Sequence, residues 1–347
     1  MDLRDDPVRE RLAAAVDTAL TSTGDLYQAL AALGVPELGM PEELGGFGLG
    51  LSADVTVSLR LGYALQPLPG HRETMLVLDL LEPADVPEDA LAAIITGTGH
   101  AAGVGATGTV GALRERGGLL WGEAGPLPVP ALRLVLARAS TEAGATGWFL
   151  VDTGAAGCTG LTSEHLGQPA LSLSFTGTPV CEVVVSRERR IRALDAARIR
   201  QAALLLGLAD RALGTATRHV RRRQQYGKPL AELQTVAHRL ARLVGLADGW
   251  RLLLHEAAWR HDRHQDCTGP ATRLLAAATE HALAAARLCI QLHGVRGMLS
   301  HSTAATIYRI VSVEAARLGA PATLRHGRPG PAGTPAGTAA PLPVVLN

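Results

Sequence analysis

RRRQQYGKPLAELQTVAHRLARL, residues 221–243, opens with three consecutive arginines and carries a tyrosine and the chain's single lysine, Lys228. A basic cluster of this kind meets phosphate groups or ends a helix, where cations complement the negative pole of the helix dipole. The charge of the whole chain argues against a nucleic-acid partner. With 33 basic and 32 acidic residues among 347, the formal charge is +1, and no chain-wide field exists to hold a polyanion. The stretch also opens a helical pattern. Val236, Leu240, Leu243, Ala247, Trp250, Leu254 and Ala257 recur at spacings of three and four, and Leu274, Ala278, Ala282, Ala285, Cys289 and Leu292 form a second stripe. Long Ala/Leu helices joined by short connections predict an antiparallel bundle.

Upstream of the stretch the texture differs. Between residues 91 and about 190, short apolar runs (LAAII, GGLLWG, LRLVLAR, GWFLVDT, LSLSF, CEVVVSR) alternate with Gly, Pro and Thr, which predicts β-strands. Before them, helical spacing runs from Asp5 to about Leu33, from Ala53 to Tyr63 and from Thr74 to Leu81. The expected fold is α+β and mostly α. It comprises an N-terminal helical domain (1–90), a middle β-barrel-like domain (91–190), a C-terminal four-helix bundle (191–326) and a disordered Pro/Gly/Ala-rich tail (327–347). The composition is 47% hydrophobic but only 3% aromatic, so Ala, Leu and Val must fill the core. No long uninterrupted apolar run occurs and the N-terminal MDLRDDPVRERL is charged. The expectation is a soluble cytoplasmic chain with no membrane partner.

Several chemistries find no foothold. Cys158, Cys181, Cys267 and Cys289 lie far apart without a CxxC pair, so buried reduced thiols are expected rather than disulfides or structural zinc. His255, His261 and His264 read as a solvated helix end, and no metal is expected. In TGTGHAAGVGATG (96–108) the glycines at 97, 99 and 103 are one residue too far apart for a dinucleotide fingerprint, and no helical pattern follows. GxSxG, HExxH and P-loop motifs are absent from the sequence.

The opening stretch resembles the RxQ(F/Y)GxPLxxxQ segment of acyl-CoA dehydrogenases, and QTVAHRLA continues that family's QxVxHRLA. QLHGVRGM (291–298) is similar to its QxHGGxGF, and GVPELGMPEELGGFGLG (34–50) to its GxxxLxxPEExGGxG turn. The resemblance covers residues 5 to about 325 and implies a flavoprotein with FAD at a subunit interface. By position, Arg223 would clamp the pyrophosphate, which suits a planar fork of donors. Gln225 and Gln234 would donate to phosphate or ribose oxygens, and Tyr226 would contact the partner's flavin. Gln291, Gly294 and Gly297 would line the adenosine end, with Val295 replacing the family's second glycine. Arg221 and Arg222 are left as the solvated helix end.

The family's reaction removes an α-proton from an acyl thioester with a glutamate while a β-hydride passes to flavin. The resemblance places that glutamate either before the arginine matching Arg198, on the substrate side, or in a C-terminal segment. Those positions are Ala197 and Leu318 here, so no catalytic residue is assigned; the nearby acids Asp195 and Glu314 are expected to be a solvated helix-start acid and a solvated helix-face acid, respectively. The family's TEPxxGSD flavin loop has no clear counterpart after LAAII. ARLGAPATLRHGR (316–328) resembles endings found in subunits of α2β2 heterotetramers of steroid side-chain degradation. Together these imply a partner subunit that completes another member's FAD site in a dimer or tetramer, lacks its own catalytic glutamate, and holds no FAD alone. Two alternatives stay open: a self-sufficient dehydrogenase with an unrecognised base, and a flavin-free scaffold.

Overall fold

In a computed structural model, residues 7–40, 42, 45–107, 113–129, 131–165 and 168–326 are described. The tail expected at 327–347 lies outside them. Five helices come first: α1 (Pro7–Ala19), α2 (Leu26–Ala31), α3 (Leu51–Ala64), α4 (Pro69–Leu80) and α5 (Glu88–Ile95). The helical spacing from Asp5 to Leu33 is thus divided between α1 and α2, and Asp25 caps α2 by accepting from the Gln28 N–H.

Eight strands follow: β1 (His100–Val104), β2 (Arg114–Arg116), β3 (Leu119–Leu127), β4 (Leu132–Ser140), β5 (Thr146–Asp152), β6 (Cys158–His165), β7 (Gln168–Pro179) and β8 (Cys181–Val183). They form one sheet in the order β6-β7-β3-β2-β4-β5-β8, with β1 parallel to β4. The LAAII expectation is corrected: these residues form most of α5. Pro87 precedes that helix and Glu88 and Asp89 sit in its first turn, where acids suit the dipole. One sheet face carries Val135, Ala137, Phe149, Val151, Leu173 and Phe175 in a core of its own; the opposite face of β4 and β5 turns Leu134, Leu136 and Leu150 toward Leu76, Leu80 and Ile94 of α4 and α5. This alternation is the period-two pattern of strands buried on both sides.

Among the described residues five further helices follow, with the hairpin β9 (Gln224–Gln225)/β10 (Lys228–Pro229) between the first two: α6 (Arg187–Arg222), α7 (Gln234–Asp262), α8 (Thr268–His293), α9 (Thr303–Glu314) and α10 (Pro321–His326). α6 begins ahead of the bundle boundary expected at 191, where Ser186 caps it by accepting from the Arg189 N–H. It runs through the main core, packed by α3, α4, α7, α8 and α9. The histidine-bearing end of α7 is not merely solvated: Asp262 accepts from the Leu51 and Ser52 N–H groups at 2.7 and 3.1 Å, capping α3 from 211 and 210 residues away. His261 Nε2 lies 3.3 Å from the Arg192 carbonyl. Of the cysteines, Cys267 and Cys289 are buried, whereas Cys158 is half-buried and Cys181 exposed, which corrects the expectation for those two. Among the described residues no helix is long and apolar enough to cross a membrane.

Candidate functional site

Two regions gather the residues singled out in the sequence. The first is an open cavity of ≈ 220 Å³ bordered by α4, α6, the segment after β1 and the turn after α9. Helical spacing explains its walls: Arg72, Glu73 and Leu76 share one side of α4, and Ala197, Arg200 and Gln201 share one side of α6. Thr107 closes one edge, and Arg317 and Leu318 another. Leu318 is held at φ 59°, a left-handed conformation that costs a non-glycine residue about 1 kcal/mol or more. Ala197 and Leu318, 121 positions apart in sequence, therefore face one space, and neither brings a carboxylate to it.

A buried polar network fills the wall between them. Glu314 Oε2 accepts from Arg72 Nη2 at 2.8 Å and from Gln201 Nε2 at 3.0 Å, and Arg317 Nε lies 3.2 Å away. Arg72 Nη1 also donates to Gln201 Oε1 at 2.9 Å. Glu314 is thus not the solvated helix-face acid expected: its side chain is 3% exposed. Burial alone would raise its pKa, but Arg72, Arg317 and the Gln201 hydrogen bond outweigh that and hold it below the ordinary carboxylate value. Glu73 differs. Its partner Arg317 Nη1 is 3.4 Å from Oε1, and burial raises its pKa more than Arg317 and Arg72 lower it, with Glu314 adding to the rise.

Arg200 anchors the floor. Its Nε donates to Asp54 Oδ2 at 2.8 Å and its Nη1 to Asp79 Oδ2 at 2.6 Å. Burial opposes the charge, yet Asp79 and Asp54 raise the guanidinium pKa above its usual value. Asp195 and Arg198 turn elsewhere. Asp195 is buried in the interior of α6 rather than at its start; it accepts from Thr268 Oγ1 at 2.6 Å, and Arg198 Nη1 reaches it at 3.3 Å. Asp195 ties α6 to the beginning of α8, and neither residue is among those lining the cavity.

The second region is a rim formed where α6 and α8 end and α7 begins. Arg223 leaves α6 in extended conformation, and its carbonyl accepts from the Leu230 N–H at 2.9 Å, which closes the hairpin. Tyr226 and Gly227 make the turn with φ 55° and 75°, the pair of positive values that a two-residue I′ hairpin needs. The tyrosine ring is thereby thrust into solvent, 88% exposed. Arg223, Gln225, Gln234 and Gln291 are exposed too, as are Arg221 and Arg222 in the last turn of α6. Arg239 Nη1 donates to Gln291 Oε1 at 3.0 Å, and the stacked rings of His219 and His293, 4.0 Å between centroids, join the ends of α6 and α8.

The two glycines of this rim play different parts. Gly294 has φ 61°, and a Cβ there would meet nothing within 4 Å, so the backbone stands open to a ligand. Gly297 is buried: a Cβ would lie 2.8 Å from His293 Cβ and 2.9 Å from the Ile290 carbonyl oxygen. Its absent side chain lets the turn pack onto α8. The donor set as a whole suits a dinucleotide such as FAD, with a guanidinium, amide side chains, an open backbone and the positive pole of the dipole at the start of α7.

Comparison with known proteins places this arrangement. The family model described as "Acyl-CoA dehydrogenase, C-terminal domain" matches residues 188–326. Over 283 residues the chain is 30% identical to benzylmalonyl-CoA dehydrogenase of Aromatoleum aromaticum, covering 72% of this chain and 74% of that protein. The chain belongs to the acyl-CoA dehydrogenase family. As a member it is a flavoprotein-type oxidoreductase of acyl-thioester CH–CH bonds. Solved structures share the acyl-CoA dehydrogenase fold. The glutaryl-coenzyme A dehydrogenase glutaryl-CoA complex aligns with a TM-score of 0.84 at 18% identity, covering 94% of this chain and 95% of that one. The ChsE4-ChsE5 complex from Mycobacterium tuberculosis aligns at 0.78 and 21%, covering 94% and 97%.

Arg72, Glu73, Gln201 and Arg317 of the cavity were not singled out from sequence. Arg72 and Glu73 are adjacent opposite charges outside any motif, and Gln201 is one polar residue ahead of the apolar AALLLGLA run. Only the packing of α4 against α6 and α9 brings them together.

Proposed function

We propose that this chain is one subunit of a heteromeric acyl-thioester dehydrogenase, whose rim completes the FAD site of a partner from the same family. The observation that carries the reading is an asymmetry. Of the residues expected to reach a neighbour's cofactor, Arg223, Gln225, Tyr226, Gln234, Gln291 and Gly294 stand exposed, while both family positions for the base, Ala197 and Leu318, present no carboxylate to this chain's own cavity. The similarity to a solved ChsE4-ChsE5 complex supports a partnership between two related chains.

In this reading Arg223 binds the pyrophosphate of FAD. Gln225, Gln234 and Gln291 donate to its phosphate or ribose oxygens, Tyr226 packs beside the partner's flavin, and Gly294 lets the backbone approach the adenosine. The cofactor, when bound, supplies the hydride acceptor. Among the described residues no carboxylate pairs with Arg223, so its charge is free for a ligand.

The test is to replace Arg223 by alanine in the assembled complex. Loss of a charge-assisted contact should weaken FAD retention about 10- to 100-fold, read as flavin released on dilution or gel filtration. Arg222→Ala, in the last turn of α6, should leave retention within about twofold. Equal retention in Arg223→Ala and the parent complex would remove the main support for the rim as a cofactor site.

A further inference from the structure

We propose that a second cavity, on the sheet face beside α5, binds a small organic cation: an ammonium group carried on a compact apolar body. The inference depends on neither the shared flavin nor the acyl-thioester chemistry, and none of the lining residues belongs to the first cavity or to the rim.

Strand register builds the floor. Leu134 on β4 stands opposite Asp152 on β5, and Leu150 on β5 stands opposite Cys181 on β8. Residues directly opposite, and residues two apart on one strand, share a face, so these four side chains emerge on the same side of the sheet as α5. There they border an open cavity of ≈ 340 Å³, whose other walls are the start of α5, the turn Pro83–Asp85 before it and the segment between β7 and β8. Ala90, Ala155, Pro179 and Val180 extend the apolar lining.

The charge on this lining is one-sided. Asp85, Asp89 and Asp152 border the cavity against a single guanidinium, that of Arg133. Arg133 is already shared: its Nη1 donates to Asp152 Oδ1 at 3.1 Å and its Nη2 pairs with Asp89. Asp152 Oδ1 also accepts from the Gly154 N–H at 2.7 Å. Asp85 differs, being half-buried with no hydrogen bond or ion pair to its carboxylate among the described residues. The positive pole of α5 does not compensate it, since Glu88 and Asp89 already occupy the first turn.

The ligand has to match an apolar floor and an unpaired carboxylate together. Among the described residues no group of three or more His, Cys, Asp or Glu is placed to hold a metal ion, so a bare metal cation is not the complement. An ammonium on an apolar body is: the body covers Leu134 and Leu150 while the charge meets Asp85. An anion of the same shape meets the excess of negative charge and is excluded.

The experiment measures phenethylamine binding to the full-length chain by isothermal titration calorimetry at neutral pH and low salt. Phenethyl alcohol and hydrocinnamate are run beside it; they keep the ring and replace the ammonium by a neutral and by an anionic group. The amine should bind about tenfold or more tighter than the alcohol, and hydrocinnamate more weakly than either. Asp85→Asn should weaken amine binding about fivefold or more and leave the alcohol within about twofold. Position is read from Cys181, the exposed thiol in the cavity wall: saturating amine should slow its alkylation by iodoacetamide, followed by peptide mass spectrometry. Equal binding of amine and alcohol, unchanged amine affinity in Asp85→Asn, or an unprotected Cys181 at saturation would each overturn the proposal.

Discussion

Replacing Arg200 by leucine is expected to lower the unfolding free energy by about 3–5 kcal/mol, because removing one partner of a buried ion pair strands the other. Asp54 would be left 1% exposed with its main counter-charge gone, and Asp79 would lose the second arm of the same guanidinium. These contacts join α3 and α4 to α6, so their loss loosens the frame on which the cavity stands. Urea titration followed by circular dichroism measures the cost. Adding Asp54→Asn to Arg200→Leu should recover part of it, since the stranded charge is then absent. A cost below about 1 kcal/mol for Arg200→Leu would mean that the triad does not carry this junction.

Gly207→Ala is expected to cost about 1–3 kcal/mol, near the upper end of that range, although alanine is the better helix former by about 1 kcal/mol. A Cβ at Gly207 would sit 2.2 Å from the Leu59 carbonyl oxygen, and one at Gly62 would sit 2.2 Å from that of Leu204. The two glycines thus let the backbones of α3 and α6 touch where they cross. The obstructing atoms are backbone, so no rotamer change relieves the contact, and the helices must separate. Gly245→Ala, on α7 with nothing within 4 Å of its Cβ position, is the matched comparison and should be neutral or stabilising. Thermal unfolding of the pair distinguishes them; equal midpoints would contradict the close-crossing account.

What sequence could reveal follows the range of the forces involved. The helices after residue 233 were legible because stripes of three-four spacing are a local signal, whereas the β9/β10 hairpin before them was not read from sequence, although Tyr226-Gly227 and Pro229 mark a turn. LAAII was misread as a strand because five apolar residues show no period, although Pro87, Glu88 and Asp89 ahead of it are helix-start signals. Glu314 and Asp195 look solvated in sequence because an isolated acid on a helix usually is. Their partners, Arg72 and Thr268, lie 242 and 73 residues away and follow only from packing. The rim residues were singled out through resemblance, whereas Gly297's structural part became clear only from its contacts. Glu73 had no signal at all, since only the packing of α4 against α6 brings it to the cavity that Ala197 and Leu318 line.

The central claim is that the rim of this chain serves a flavin held with a partner. The most direct measurement is the visible flavin absorbance of the chain purified alone and of the chain co-expressed with a family member that carries a glutamate at either of the two base positions. The lone chain is expected to be colourless and the co-purified complex yellow, with FAD lost when Arg223 is replaced. Stoichiometric FAD on the chain purified alone would contradict the claim.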